Sequence, residues 1–218
     1  MPISNLFSTR FGPVIALVVL IWVIEIVNLL TGHRLSVFGI LPRTLQGLVG
    51  IFLSPFLHAG LMHTVVNTVP LLVLGALISL RGIRTYLIAS AFIILVGGGA
   101  VWLLGRESYH VGASSLVFGY FGFLVARGWY DRKLDSLAVT VVTIALYGGL
   151  ILGIFPTRWH VSWEGHLFGL LTGILPIIHL VFSSCACLAS DRTSASIRCS
   201  CSPSSAPFCS RSQCPMAS

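Results

Sequence analysis

Six apolar runs dominate this chain: Pro13 to Leu30, Ala59 to Leu80, Tyr86 to Leu104, Val111 to Ala126, Leu137 to Phe155 and Ser162 to Phe182. Most approach the roughly 20 residues that a helix needs to cross about 30 Å of hydrocarbon. In lipid the backbone must satisfy its own N–H and C=O groups, so open chains of this kind span as helices. Composition agrees: 56% of residues are hydrophobic and 9% charged, with a mean hydropathy of +0.95, far outside the range of soluble domains. The expected fold class is an all-α membrane protein with six transmembrane helices. The first run is too long for a secretory signal and has no small-residue cleavage site after it, so it reads as an anchor. Leu41 to Leu57 is also apolar, but Pro42, Gly47, Gly50 and Pro55 interrupt it, and it reads as a partly embedded loop.

Charge narrows the classes of function. Thirteen Lys and Arg against six Asp and Glu give a formal net charge of +7, yet they are spread thinly between apolar runs and make no stripe for a phosphate backbone. Nucleic acid is therefore not an expected partner, whereas the lipid bilayer is. So few carboxylates leave a carboxylate-metal site short of ligands, and no metal or other cofactor is expected. All six cysteines, from Cys185 to Cys214, follow the last apolar run, which excludes a disulfide framework for the membrane part. The segment 183–218 is rich in Ser, Cys, Pro and Arg and cannot bury enough surface to offset chain entropy. Two regions result: a membrane domain over 1–182 and a disordered cytoplasmic tail over 183–218.

Orientation follows from the basic residues. A cytoplasmic N-terminus collects Arg10, Arg81, Arg84, Arg127, Arg132, Lys133 and the tail arginines inside, against Arg34, Arg43, Arg106 and Arg158 outside. The excess inside supports that topology and places both termini in the cytoplasm, most simply of a bacterial inner membrane. The second, fourth and sixth runs then all begin at the outer face. His63 and Asn67 lie near the start of the second, Ser114 of the fourth and His166 of the sixth. Polar groups from distant sequence thus share one depth. Such residues are costly in a membrane and face a bundle interior or a watery cavity, so their coincidence is a functional hypothesis.

His63 and Asn67 are four residues apart and share a helix face. Gly169 and Gly173 put a glycine groove on the face of His166, and Ser115, Gly119 and Gly122 make a small-residue stripe beside Ser114. Such stripes let helices approach closely in lipid. If they face each other, Ser114 and His166 come within hydrogen-bonding reach, the minimum for acyl transfer: serine attacks, and histidine takes and returns the proton. His63, the Asn67 amide and the Ser114 backbone N–H would supply oxyanion donors. No third acid presents itself, since Glu164 points away from His166 on a helix. Phe118, one turn after Ser114, is placed to pack on the His166 ring. Elsewhere Glu25 reads as tied to a loop by a hydrogen bond, Gly97 to Gly99 as close packing or a kink, Trp102, Trp159 and Trp163 as an aromatic belt, and His33, His110, His160 and His179 as interfacial or structural.

The runs His58-Ala-Gly-Leu-Met-His63-Thr-Val-Val-Asn67, Gly112-Ala-Ser114-Ser-Leu-Val-Phe118-Gly119 and His166-Leu-Phe-Gly169-Leu-Leu-Thr-Gly173 together resemble the signature segments of rhomboid intramembrane serine proteases. The resemblance covers roughly residues 10 to 182 and implies a six-helix rhomboid-like bundle that cleaves transmembrane protein substrates near the outer membrane face. It implies Ser114 as nucleophile, His166 as base, His63 and Asn67 at the oxyanion hole, and His58 in a structural role. The family pattern is Gly-x-Ser-Gly, so Ser115 stands where glycine is expected and adds a second hydroxyl. Leu41-Pro42-Arg43 replaces the Trp-Arg pair of some members. The alternative function is that of a catalytically inactive rhomboid-like protein that binds or escorts membrane clients. The sequence sets no oligomeric state.

Overall fold

A computed structural model of the chain describes residues 10–131, 133–156 and 162–175. The expected tail, Trp159, His160 and the end of the last apolar run lie outside these residues. Helix α1 (Gly12–Leu30) starts on Pro13, where the missing N–H costs nothing, and buries Val14, Val18, Ile21, Glu25 and Asn28 at helical spacing. Helix α2 spans Leu45–Leu53 and passes into a 3₁₀ turn, Ser54–Phe56. Helix α3 is Leu61–Ser79 and α4 is Ile83–Leu104. Helix α5 is Ser114–Asp131, α6 is Leu134–Tyr147 with a 3₁₀ continuation over Gly148–Ile154, and α7 covers 163–175.

Among the described residues four helices are long and apolar enough to cross a membrane: α1, α3, α4 and α6 with its 3₁₀ end. These account for four of the six expected spans. Helix α5 differs for a physical reason: every residue from Leu116 to Leu124 is buried, so its walls are other helices rather than lipid, and it tolerates Tyr120 and three glycines. A helix enclosed on all sides need not be the most apolar. Against it pack Leu71, Leu74 and Ile78 of α3, Tyr86, Ala89 and Ile93 of α4, and Val14, Val18 and Ile21 of α1 in one core.

The segment Leu41 to Leu57 is not the loop expected from its glycines and prolines. The Thr44 hydroxyl caps α2 by accepting from Gly47 N–H at 3.0 Å, and Pro55 falls in the first turn of the 3₁₀ segment. A Cβ at Gly47 would land on the Leu41 backbone, and one at Gly50 on Gly39. These glycines permit close approach instead of breaking the helix. The apolar face of α2, including Leu45, Val49 and Phe52, stays exposed. The run Gly97 to Gly99 follows a π turn, Ile93–Gly97. Gly97 meets Thr172 of α7 there, and Gly98 meets Ile51 of α2. Trp102 is more than belt: its indole donates to the Thr44 carbonyl at 2.8 Å.

The loop tie expected of Glu25 belongs to Asn28. The Asn28 amide donates to the His58 carbonyl at 3.0 Å and its oxygen accepts from Leu35 N–H at 3.0 Å. Both Glu25 carboxylate oxygens are buried without a hydrogen-bond partner among the described residues.

Candidate active site

Ser114 is the first residue of α5. A helix leaves its first N–H groups without intrahelical acceptors, so the Ser114 amide is available to a ligand. The preceding residue is held from behind: Ala113 N–H donates to His58 Nε2 at 3.2 Å, and Gly112 N–H donates to the Ser54 carbonyl at 2.9 Å. His58 is fully buried, and burial, followed by the neighbouring His63, pushes its pKa from 6.5 down to about 4. It is therefore neutral, with the lone pair that Ala113 needs. Gly112 adopts φ +122°, and a Cβ there would stand 2.7 Å from His63 Cε1. The turn into Ser114 thus requires glycine twice over, for its backbone and for the His63 ring beside it.

His166 lies in α7, in the first turn after Ser162. Its Nδ1–H donates to the Gly153 carbonyl at 2.8 Å. A carbonyl only accepts, so in the neutral ring the lone pair is on Nε2, which can then accept a proton. The ring stacks on Phe118 with centroids 4.2 Å apart and 7° between planes, as the one-turn spacing of Phe118 from Ser114 anticipates. Among the described residues no carboxylate hydrogen-bonds the His166 ring. Glu164 turns instead to Arg106, whose N–H and Nε approach its Oε1 at 3.4 and 3.6 Å.

The stripes of small residues do face each other. A Cβ on Gly169 would land on the Ser115 backbone, one on Gly173 would land on the Gly119 carbonyl, and one on Gly122 would be 2.6 Å from the Leu170 carbonyl. Helices α5 and α7 therefore meet backbone to backbone, and Ser115 does not hold them apart, because what touches Gly169 is its main chain.

Ser114, His166, His63 and Asn67 all line one cavity of about 520 Å³, with Phe118 and Gly153 at the base and Val66, Pro70, Val117 and Leu150 among its apolar walls. Ser115 lines an adjoining, water-sized cavity of about 20 Å³ with Ser54, His110 and Ser162, and Ser114 borders both cavities. Within the larger cavity the Asn67 amide donates to the His63 carbonyl at 3.0 Å, which leaves one of its two N–H bonds for another acceptor. Among the described residues no hydrogen bond joins Ser114 Oγ to His166. Such contacts are often open without substrate. No group of three or more His, Cys, Asp or Glu capable of holding a metal is assembled among the described residues.

Two features carry no signal in the sequence. Gly153 contributes only a carbonyl, which any residue has. His110, expected to be interfacial or structural, bonds Ser162 Oγ at 2.6 Å and the Arg106 carbonyl at 3.1 Å, partners that its position in the sequence does not name, and burial pushes its pKa down. With Arg106–Glu164 it clasps the loop before α5 to the start of α7, so both helices bearing the site are tied at their mouths.

The chain is similar to known proteins. An uncharacterized protein of Mycobacterium tuberculosis is 38% identical over 171 residues, 74% of this chain and 71% of its own. RHOMBOID-like protein 1 of Arabidopsis thaliana is 30% identical over 132 residues, 57% of this chain and 32% of its own. A Bacillus subtilis protein named as a candidate rhomboid protease is 28% identical over 121 residues, 55% of this chain and 60% of its own. A rhomboid domain model matches residues 45–188, more than half of the sequence and all of the segments that build the cavity, and this multi-pass membrane chain belongs to the rhomboid family.

Proposed function

We propose that the protein is an intramembrane serine endopeptidase working through a Ser114–His166 dyad. The observation that carries this reading is the state of His166: its Nδ1–H is engaged by a backbone carbonyl, its ring is fixed on Phe118, and its Nε2 is left for proton transfer in the same cavity as Ser114. Ser114 Oγ attacks the scissile carbonyl carbon while its proton passes to Nε2. The oxyanion draws on the Ser114 N–H, the Asn67 amide and His63, each such donor being worth about 10²- to 10³-fold in rate. The C–N bond then breaks as Nε2 gives the proton to the leaving amine. Water repeats the sequence on the acyl-enzyme, with His166 again as base, and frees the second product and Ser114. The substrate is a transmembrane segment whose end loses helical structure near the outer face, where a peptide bond becomes exposed to the cavity. Both termini lie in the cytoplasm in this arrangement.

Fluorophosphonate labelling of the purified protein, beside Ser114→Ala, Ser115→Ala and His166→Ala, tests the assignment. Parent and Ser115→Ala should label, and the other two should not. Labelling that survives Ser114→Ala overturns the nucleophile, and a folded parent that never labels favours an inactive, client-binding protein.

A further inference from the structure

The group that orients His166 comes from the cavity end of α6. Gly153 belongs to the 3₁₀ segment Gly148–Ile154 at the end of α6, and α6 with this segment is the least buried of the four long apolar helices. The polar ties of α6 gather at its other end. Asp135 pairs with Arg81 at 3.1 Å, Ser136 bonds Arg81 and Asp131 at 3.0 Å each, and Thr140 donates to the Leu124 carbonyl at 3.0 Å. A Cβ on Gly128 would strike Thr140 as well, so that end is also tightly packed. At the cavity end the 2.8 Å bond from His166 to Gly153 stands in their place.

Position 153 is matched to the ring it serves. A Cβ there would lie 2.8 Å from Phe118 Cζ and 3.2 Å from His166 Nδ1, so only glycine lets the chain pass close enough to present its carbonyl. The last carbonyls of a helix have no intrahelical donor, and 3₁₀ geometry leaves them poorly bonded. This one is free to accept from α7.

We propose that Gly153 is a positioning residue for the base, its carbonyl setting whether His166 is oriented for proton transfer. This rests on the reading of Ser114 and His166 as nucleophile and base. With the Gly153 carbonyl accepting, Nδ1–H is held and Nε2 is presented. Without that acceptor the ring keeps only its stacking on Phe118, and either nitrogen can carry the proton.

The test weakens one acceptor without altering a side chain. Replacing Ile154 by its α-hydroxy acid analogue turns the Gly153 carbonyl from an amide into an ester, a poorer acceptor. The same replacement at Ile151 is the control for a lost N–H in the segment. The ester at 154 should slow fluorophosphonate labelling of Ser114 about five- to tenfold, the factor that corresponds to one neutral hydrogen bond. It should also turn the ¹⁵N spectrum of His166 from a single Nδ1–H tautomer to a mixture, while the ester at 151 leaves both unchanged. Labelling within twofold of the parent together with an unchanged tautomer at 154 overturns the proposal. The tautomer is read equally in Ser114→Ala, so a failure of the protease reading leaves the role of Gly153 decided on its own.

Discussion

Replacing Gly169 with alanine puts a methyl group on the Ser115 backbone, where no real Cβ fits. Ordinary contact begins near 3.4 Å, so α5 and α7 must separate by about 1 Å, a displacement of the scale that costs roughly 10²-fold when it misplaces catalytic groups. Rotation cannot relieve it, because Gly122 and Gly173 make the same seam against Leu170 and Gly119 further along. The overpacking itself destabilises by about 1–3 kcal/mol. Gly99→Ala is the matched control: nothing lies within 4 Å of a Cβ there, and alanine in a helix interior is favoured over glycine by about 0.5–1 kcal/mol. Hydrolysis of a transmembrane substrate in proteoliposomes, with thermal unfolding in micelles, should separate the two. Gly169→Ala should lose about two orders of magnitude in rate, and Gly99→Ala should keep its rate and gain slightly in stability. If Gly169→Ala cleaves as fast as Gly99→Ala, helix approach along this seam does not set the dyad geometry.

Three further outcomes follow from the same contacts. Gly112→Ala should cost about 1–3 kcal/mol of backbone strain and push His63 away from the cavity, seen as a lower melting temperature and a slower acylation than the parent. Ser115→Gly should leave the rate close to that of the parent, since the approach to Gly169 is made by the main chain; for the same reason it should not rescue Gly169→Ala, and rescue in the double variant would show that the serine side chain is what collides. Stability should fall with acid through His58: its folded pKa of about 4 lies below the unfolded 6.5, so the unfolded chain binds the extra proton between these values. The contribution is complete above pH 6.5, drains as pH falls toward 4 and reaches about 3 kcal/mol. Burial of His110 acts in the same sense. Equilibrium unfolding in micelles at pH 7 and 4.5 should show the loss, and His58→Gln should flatten most of it.

The parts of the site that were legible in the sequence are those in which chemistry demands a residue type. A serine, a histidine and a His–Asn pair near the mouths of three apolar runs have few bland explanations, and the fold does bring them to one cavity; Phe118 one turn after Ser114 already pointed at the ring it stacks on. What depends on main chain left no such mark. The acceptor for His166 Nδ1 is a carbonyl that every residue possesses, and Gly153 is notable only for the side chain it lacks. The same blindness explains α2: Gly47 and Gly50 read as interruptions because glycine is a poor helix former, yet each lies against another backbone that a Cβ would strike. Glu25 and Asn28 show the converse limit, since two polar residues one turn apart offered the same loop tie and only the fold assigned it to Asn28. Ser115 joins these cases. Its departure from the family pattern could not be weighed from the sequence, because a motif states which residue is usual and not which partner makes room. Here the room is made from the α7 side by Gly169, so the residue after Ser114 can carry a side chain while its carbonyl is left to the seam.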